Sequence, residues 1–181
     1  MSDGPSILLE SARTYLARGY AVIPVPARKK IPVLKGWTDL RLSESDLPAH
    51  FNGTGNIGVL LGEPSGWLVD VDLDCEEAVA LAPKFLPPTG AMSGRPGKPA
   101  SHWWYVCEGI KTRKHQDPVT KKMIVELRST GAQTVVGPSI HPSGEPYDPL
   151  DGEPAVVDAG ELAAAVAALA EAVTEARHGR K

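Results

Sequence analysis

The segment Leu68-Val69-Asp70-Val71-Asp72-Leu73-Asp74 alternates apolar and acidic side chains. Side chains of a strand point by turns to its two faces, so as a strand this segment sets Asp70, Asp72 and Asp74 on one face and Val69, Val71 and Leu73 on the other. The apolar face belongs to a core. The acidic face cannot be buried unpaired, because desolvating a carboxylate costs on the order of several kcal/mol. It must meet water, basic side chains or a cation. Adjacent carboxylates repel one another, and a hard divalent ion such as Mg²⁺ relieves that repulsion through oxygen coordination. A merely solvated strand would more naturally carry Thr, Lys or mixed charge.

Two later segments offer partners. In Pro99-Ala100-Ser101-His102-Trp103-Trp104 a histidine stands where a Gly/Pro/basic loop containing Arg95 and Lys98 enters a strand. In Val125-Glu126-Leu127-Arg128 a carboxylate and a guanidinium share one strand face. A lone histidine is most often structural, and Glu126 with Arg128 is most simply a surface charge pair. Taken together, carboxylates from two strands beside a histidine and several cations fit metal-assisted phosphoryl transfer. The acids would hold metal ions, and His and Arg would hold phosphates.

The net charge of −3, from 19 basic and 22 acidic residues, is low for a protein that grips nucleic acid, and predicts weak nucleic-acid binding by this chain alone. Its distribution is uneven. From Arg95 to Arg128 eight basic side chains stand against three acidic ones, whereas from Glu63 to Glu77 six acids occur without a Lys or Arg. One segment suits polyanions and the other cations; solvated faces are the plain alternative for both. With 181 residues, 42% hydrophobic and 23% charged, the chain has the balance of a folded domain. It has no apolar run of about 18 residues to span a membrane, and Met1-Ser2-Asp3-Gly4 lacks the features of a secretory signal. Cys75 and Cys107 supply neither a disulfide framework nor a four-cysteine zinc site. A reduced, cytoplasmic protein without zinc is expected.

The elements that must position these residues follow from periodicity and punctuation. Residues 6–18 have helical spacing, with Ser6 to cap and Gly19 to stop. Tyr20 to Val25 reads as a strand, residues 27–42 as a basic irregular connector, and Ser43 with Asp46 as the start of a short helix to His50. Ile57 to Leu61 and Trp67 to Leu73, separated by Glu63-Pro64-Ser65-Gly66, read as a hairpin. Ala78 to Phe85 reads as a helix and residues 89–100 as a loop. Strands follow at His102–Cys107, Met123–Leu127 and Thr134–Val136, and then an alanine-rich helix at 158–176 with a frayed basic end at 177–181. The pattern is α+β with antiparallel pairs. Gly53-Thr54-Gly55-Asn56-Ile57-Gly58 matches GxGxxG, but it precedes a β-like run instead of opening a helix, so it is no dinucleotide site.

In this order the residues resemble the primase–polymerase domain (bifunctional DNA primase/polymerase, N-terminal) of the archaeo-eukaryotic primase superfamily. That family is marked by an Asp-x-Asp strand, a small-x-His motif and a later strand carrying a third acid. The corresponding residues are Asp70-Val71-Asp72, Ala100-Ser101-His102 and Glu126. Lys30-Ile31-Pro32 with Lys35-Gly36-Trp37, the Gly62–Gly66 turn and the Gly137–Gly144 segment also resemble it, so the similarity runs from about residue 15 to about residue 150.

The resemblance implies a two-part α/β fold with a unit related to the RNA-recognition motif and an active site in the cleft between the parts. It assigns residues 1–157 to the catalytic domain and 158–181 to a C-terminal helix and tail. It also implies template-directed nucleotidyl transfer from dNTP or NTP in plasmid, phage or prophage replication, on single-stranded or primed DNA. A helicase module in the parent protein or in trans is the expected partner. Asp70, Asp72 and Glu126 would chelate two Mg²⁺ or Mn²⁺ ions, with Asp72 and Asp74 as an alternative register. His102 would contact the triphosphate, helped by Ser101, Arg128, Ser139, His141, Arg95 and Lys98. The third acid is Glu where the family more often has Asp. Two other classes compete: a metal-dependent nuclease, which needs no triphosphate, and a catalytically idle single-stranded DNA-binding module.

Overall fold

The computed structural model describes residues 6–180. Among them are four α-helices and two sheets, a mixed α+β architecture. The chain opens with α1 (Ile7–Ala17), capped by the Ser6 hydroxyl, which accepts from the Leu9 N–H at 3.2 Å. Leu8, Leu9, Ala12 and Tyr15 form its buried stripe. Then come β1 (Val22–Val25), α2 (Leu47–His50), β2 (Asn56–Leu60), β3 (Leu68–Leu73) and α3 (Glu76–Phe85). They are followed by β4 (Met92–Arg95), β5 (Lys98–Val106), β6 (Arg113–Gln116), β7 (Met123–Arg128), β8 (Gln133–Val136), β9 (Ala155–Val156) and α4 (Ala159–His178).

The smaller sheet has the order β1-β2-β8, and the larger β4-β5-β3-β7-β6 with β9 beside β5. All pairs are antiparallel except β5 with β9. The apolar runs on either side of Glu63-Pro64-Ser65-Gly66 therefore do not form the hairpin expected from the sequence. β2 belongs to the small sheet and β3 to the centre of the large one, with only the Gly62–Leu68 bridge between the two runs. Both runs are buried throughout or nearly so, and periodicity does not say which sheet a buried strand joins.

One core lies between the large sheet and α3 with α4. It takes Val69, Val71 and Leu73 of β3, together with Leu162, Val166, Leu169 and Val173 of α4. A second core lies between the sheets and joins Leu68, Trp104, Ile57 and Val59 to Tyr15 and Phe51. Trp103 and Trp104 are core residues, as strand aromatics usually are. The expected frayed basic end is also corrected at its start. Arg177 and His178 complete α4 and bind acids: Arg177 bonds Glu77 at 2.8 Å and Asp117 at 3.0 Å, and His178 lies 2.9 Å from Asp117. These bonds tie the end of α4 to the turn between β6 and β7.

Candidate functional site

The two faces of β3 have different fates because each meets a different layer. The valine face enters the helix-covered core. The acidic face turns toward the small sheet and emerges from the interior along its length. Leu68 and Asp70 are fully buried, Asp72 has 18% of its side chain exposed and Asp74, just past the strand, has 27%. Antiparallel register does the rest. Asp72 is paired with His102 on β5 and with Glu126 on β7, so the three lie side by side across adjacent strands.

One carboxylate oxygen from each of Asp72, Asp74 and Glu126 falls within 4.8 Å of the others. Burial and the charge of Asp72 push the Asp74 carboxyl up to about 6, with Glu126 adding to the rise and Lys98 opposing it. Three crowded oxygen donors with unrelieved repulsion form the donor set that a hard divalent ion such as Mg²⁺ or Mn²⁺ prefers, so the residues present fit such an ion. Asp72 with Asp74, rather than Asp70 with Asp72, supplies the paired acids of this cluster. Asp70 stands behind it. The His102 Nδ1–H donates to Asp70 Oδ2 at 2.8 Å, the Thr134 hydroxyl donates to the same oxygen at 2.7 Å, and Arg128 donates to Thr134 at 3.1 Å. Burial opposes charge on His102, but the carboxylates of Asp70 and Asp72 outweigh it and raise its pKa to about 9. His102 is thus a cation at neutral pH, with Nε2 left for the cleft.

The acids open into a cleft of about 310 Å³ that Lys30, Arg95, Lys98, His102, Arg128 and His141 also line. Lys98 lies 3.8 Å from Asp74, and Arg128 lies 3.6 Å from Glu126. Ser101 is in the wall. His141 accepts the Ser143 N–H at Nδ1, which puts its proton on Nε2, and that buried atom has no partner among the described residues. Burial and the nearby Arg95, Lys30 and Lys98 lower its pKa. Ser139, expected at the nucleotide, lies elsewhere: its hydroxyl is fully buried and accepts the Ile57 N–H at 2.8 Å, fastening the loop after β8 to β2. Arg95 reaches the cleft but is bonded to Glu145 at 2.5 Å.

Several contributors escaped sequence reasoning. Thr134 was legible only as a strand residue, and nothing in its spacing marks it as the bridge between Asp70 and Arg128. Glu145 lies 50 residues from Arg95. Gln133 donates to the Lys30 carbonyl at 2.7 Å, and Asn56 to the Lys29 carbonyl at 3.0 Å, so side-chain amides of β8 and β2 hold the 29–30 segment over the cleft. Gly58 of the discarded glycine motif has a structural task. A Cβ there would overlap the Gln133 amide oxygen.

A family model described as bifunctional DNA primase/polymerase, N-terminal, matches residues 12–171. No curated protein matches the chain.

Proposed function

Since the chain belongs to the bifunctional DNA primase/polymerase N-terminal family, we propose that it is a metal-dependent nucleotidyltransferase, extending a strand with nucleoside triphosphates on a template during DNA replication. The observation that carries this is the Asp72–Asp74–Glu126 cluster, held within 4.8 Å beside a cationic histidine in one cleft. Divalent ions held there would ease deprotonation of the attacking 3′-hydroxyl and neutralise charge building on the α-phosphate and the leaving pyrophosphate.

The protein's own groups divide the remaining work. Asp70 fixes the His102 ring and its charge, so that Nε2–H donates to a phosphate oxygen without reorganising. The Nε2–H of His141, which has no partner among the described residues, is a second donor at the cleft lining. Arg128, braced by Thr134, and Lys98, beside Asp74, add positive charge where the triphosphate would lie. Arg95 is held by Glu145 and must exchange that carboxylate for phosphate.

Equilibrium binding of a fluorescent dNTP with and without Mn²⁺ tests the reading. Wild-type protein should bind it in an Mn²⁺-dependent way, and Asp72→Ala/Asp74→Ala should lose that dependence. Cleavage of DNA without added nucleotide would instead establish the nuclease class.

A further inference from the structure

The turn between β4 and β5, Arg95-Pro96-Gly97-Lys98, and a hairpin of residues 139–147 both border the cleft, the first through Arg95 and Lys98 and the second through His141 and Tyr147. The root of the hairpin is fixed. The Tyr147 N–H donates to the Ser139 carbonyl at 3.0 Å, the Asn56 amide binds both backbone groups of Ile140, and Asp148 exchanges bonds with Gly94. Its tip is held differently. Among the described residues, every hydrogen bond between residues 141–145 and the β4–β5 turn ends on the Glu145 carboxylate.

Three donors converge on that carboxylate. Arg95 Nη1 lies 2.5 Å from Oε1, the Ser143 hydroxyl donates to the same oxygen at 3.1 Å, and the Gly97 N–H donates to Oε2. A Cβ on Gly97 would stand 2.8 Å from both Oε1 and the guanidinium, so the close approach requires glycine there. The side chains of Arg95 and Glu145 are only 22% and 27% exposed, which leaves little water to screen the pair. A guanidinium, a backbone N–H and a hydroxyl around one pair of oxygens suit a phosphate as well as a carboxylate. The Ser143 Oγ also lies 2.8 Å from His141 Nδ1, so a hydroxyl freed from Glu145 has a second acceptor beside it.

We propose that Glu145 is an internal competitor of the substrate: its carboxylate occupies an anion seat made by Arg95, Gly97 and Ser143, and yields Arg95 to an entering polyphosphate. The inference rests on the proposed nucleotidyl transfer for the identity of that anion, a nucleoside triphosphate. Arg95 differs here from the other cations of the cleft. Lys98 and Arg128 lie beside Asp74 and Glu126, whose charge a metal ion would neutralise, whereas Glu145 stands outside the acid cluster and keeps its claim on Arg95. Release of Glu145 frees the hairpin tip, while the bonds at its root keep His141 at the cleft. The carboxylate therefore lowers affinity for the triphosphate. A strut without a competing role would do the opposite, since removing it would loosen Arg95 and weaken binding.

Isothermal titration of the full chain with inorganic tripolyphosphate, without divalent ions, tests it. Glu145→Gln keeps the shape and removes the charge, and should bind tripolyphosphate about tenfold tighter than wild type, even with a lower unfolding midpoint. Arg95→Ala should bind more weakly than wild type, and Arg95→Ala/Glu145→Gln no more tightly than wild type. Affinity in Glu145→Gln no higher than in wild type, absent binding included, would overturn the inference. So would a gain that survives in full in the double variant, because Arg95 would then not be the group released. The expected pattern in a protein unable to extend a primer would keep the competing carboxylate and refute the nucleotidyltransferase.

Discussion

Asp70, fully buried, and His102, half-buried, form a pair, Nδ1–H to Oδ2 at 2.8 Å, one alternation of β3 behind the carboxylates that face the cleft. The position follows from the way β3 leaves the interior. The same strand face that seats Asp72 among the acids seats Asp70 between the sheets, where only hydrogen-bonding partners make a charge tolerable. We therefore propose Asp70 as a positioning residue, with Asp72, Asp74 and Glu126 as the acids that could hold a metal ion.

Asp70→Asn separates these roles. Losing the charge beside His102 removes a charge-assisted hydrogen bond worth about 1.5–3 kcal/mol. KM for the nucleotide should rise roughly tenfold to a hundredfold, while the Mn²⁺ concentration giving half-maximal activity stays the same. A shifted Mn²⁺ requirement with unchanged KM would place Asp70 among the metal ligands instead.

Asp74→Asn should stabilise the metal-free protein, because it removes one of three repelling carboxylates. Differential scanning calorimetry is expected to show a higher Tm than wild type without divalent ions. The Tm rise that Mn²⁺ gives the wild type should largely vanish. A variant that keeps the full Mn²⁺-induced rise would show that Asp74 is no ligand.

The alternating signal of β3 was legible because one face had to be apolar, and so were the acids and the histidine it brings together. Which two aspartates pair was not legible. Period-two alternation places Asp70, Asp72 and Asp74 alike, and only the depth of the second core under Leu68 and Trp104 distinguishes them. β6 was missed because Arg113-Lys114-His115-Gln116 has no apolar side chain to register, being an edge strand held by its backbone. β4 was hidden in a segment read as loop, where its glycine lies against the backbone of Lys98 and Ala100. Ser139 was legible as polar, but not that Ile57 would claim it.

Gly58→Ala should be destabilising by about 1–3 kcal/mol, the usual cost of overfilling a packed site. The new methyl would meet the Gln133 amide oxygen and approach the side chains of Ile23 and Val25 to 3.1 Å. Displacing Gln133 frees the Lys30 carbonyl, so faster hydrogen exchange over residues 28–33 should accompany the lower stability in urea. Unchanged exchange there would mean that Gln133 does not hold the segment.

The anchor at the end of α4 should be acid-labile. His178, the Thr120 and Val119 N–H groups and Arg177 hold the Asp117 carboxyl well below the usual range, and Arg177 holds Glu77 down at about 2. Carboxyls whose folded pKa is depressed stabilise the fold above their unfolded values near 4, and that contribution disappears as pH falls through the folded ones. Wild-type Tm should fall between about pH 4 and pH 2. Arg177→Ala should start lower at pH 7 and lose less over that interval. Equal losses in both proteins would place the acid sensitivity elsewhere.

The most direct measurement is extension of a short primer on a single-stranded template with dNTPs and Mn²⁺ or Mg²⁺, comparing wild type with Asp72→Ala. Asp72 pairs with both His102 and Glu126 and belongs to the acid cluster, so the expected result is metal-dependent extension by the wild type and none by a variant that unfolds at a similar temperature. Extension by Asp72→Ala at the wild-type rate would contradict the site. Failure of the wild type to extend at all, with either metal, would leave the fold without the chemistry proposed for it.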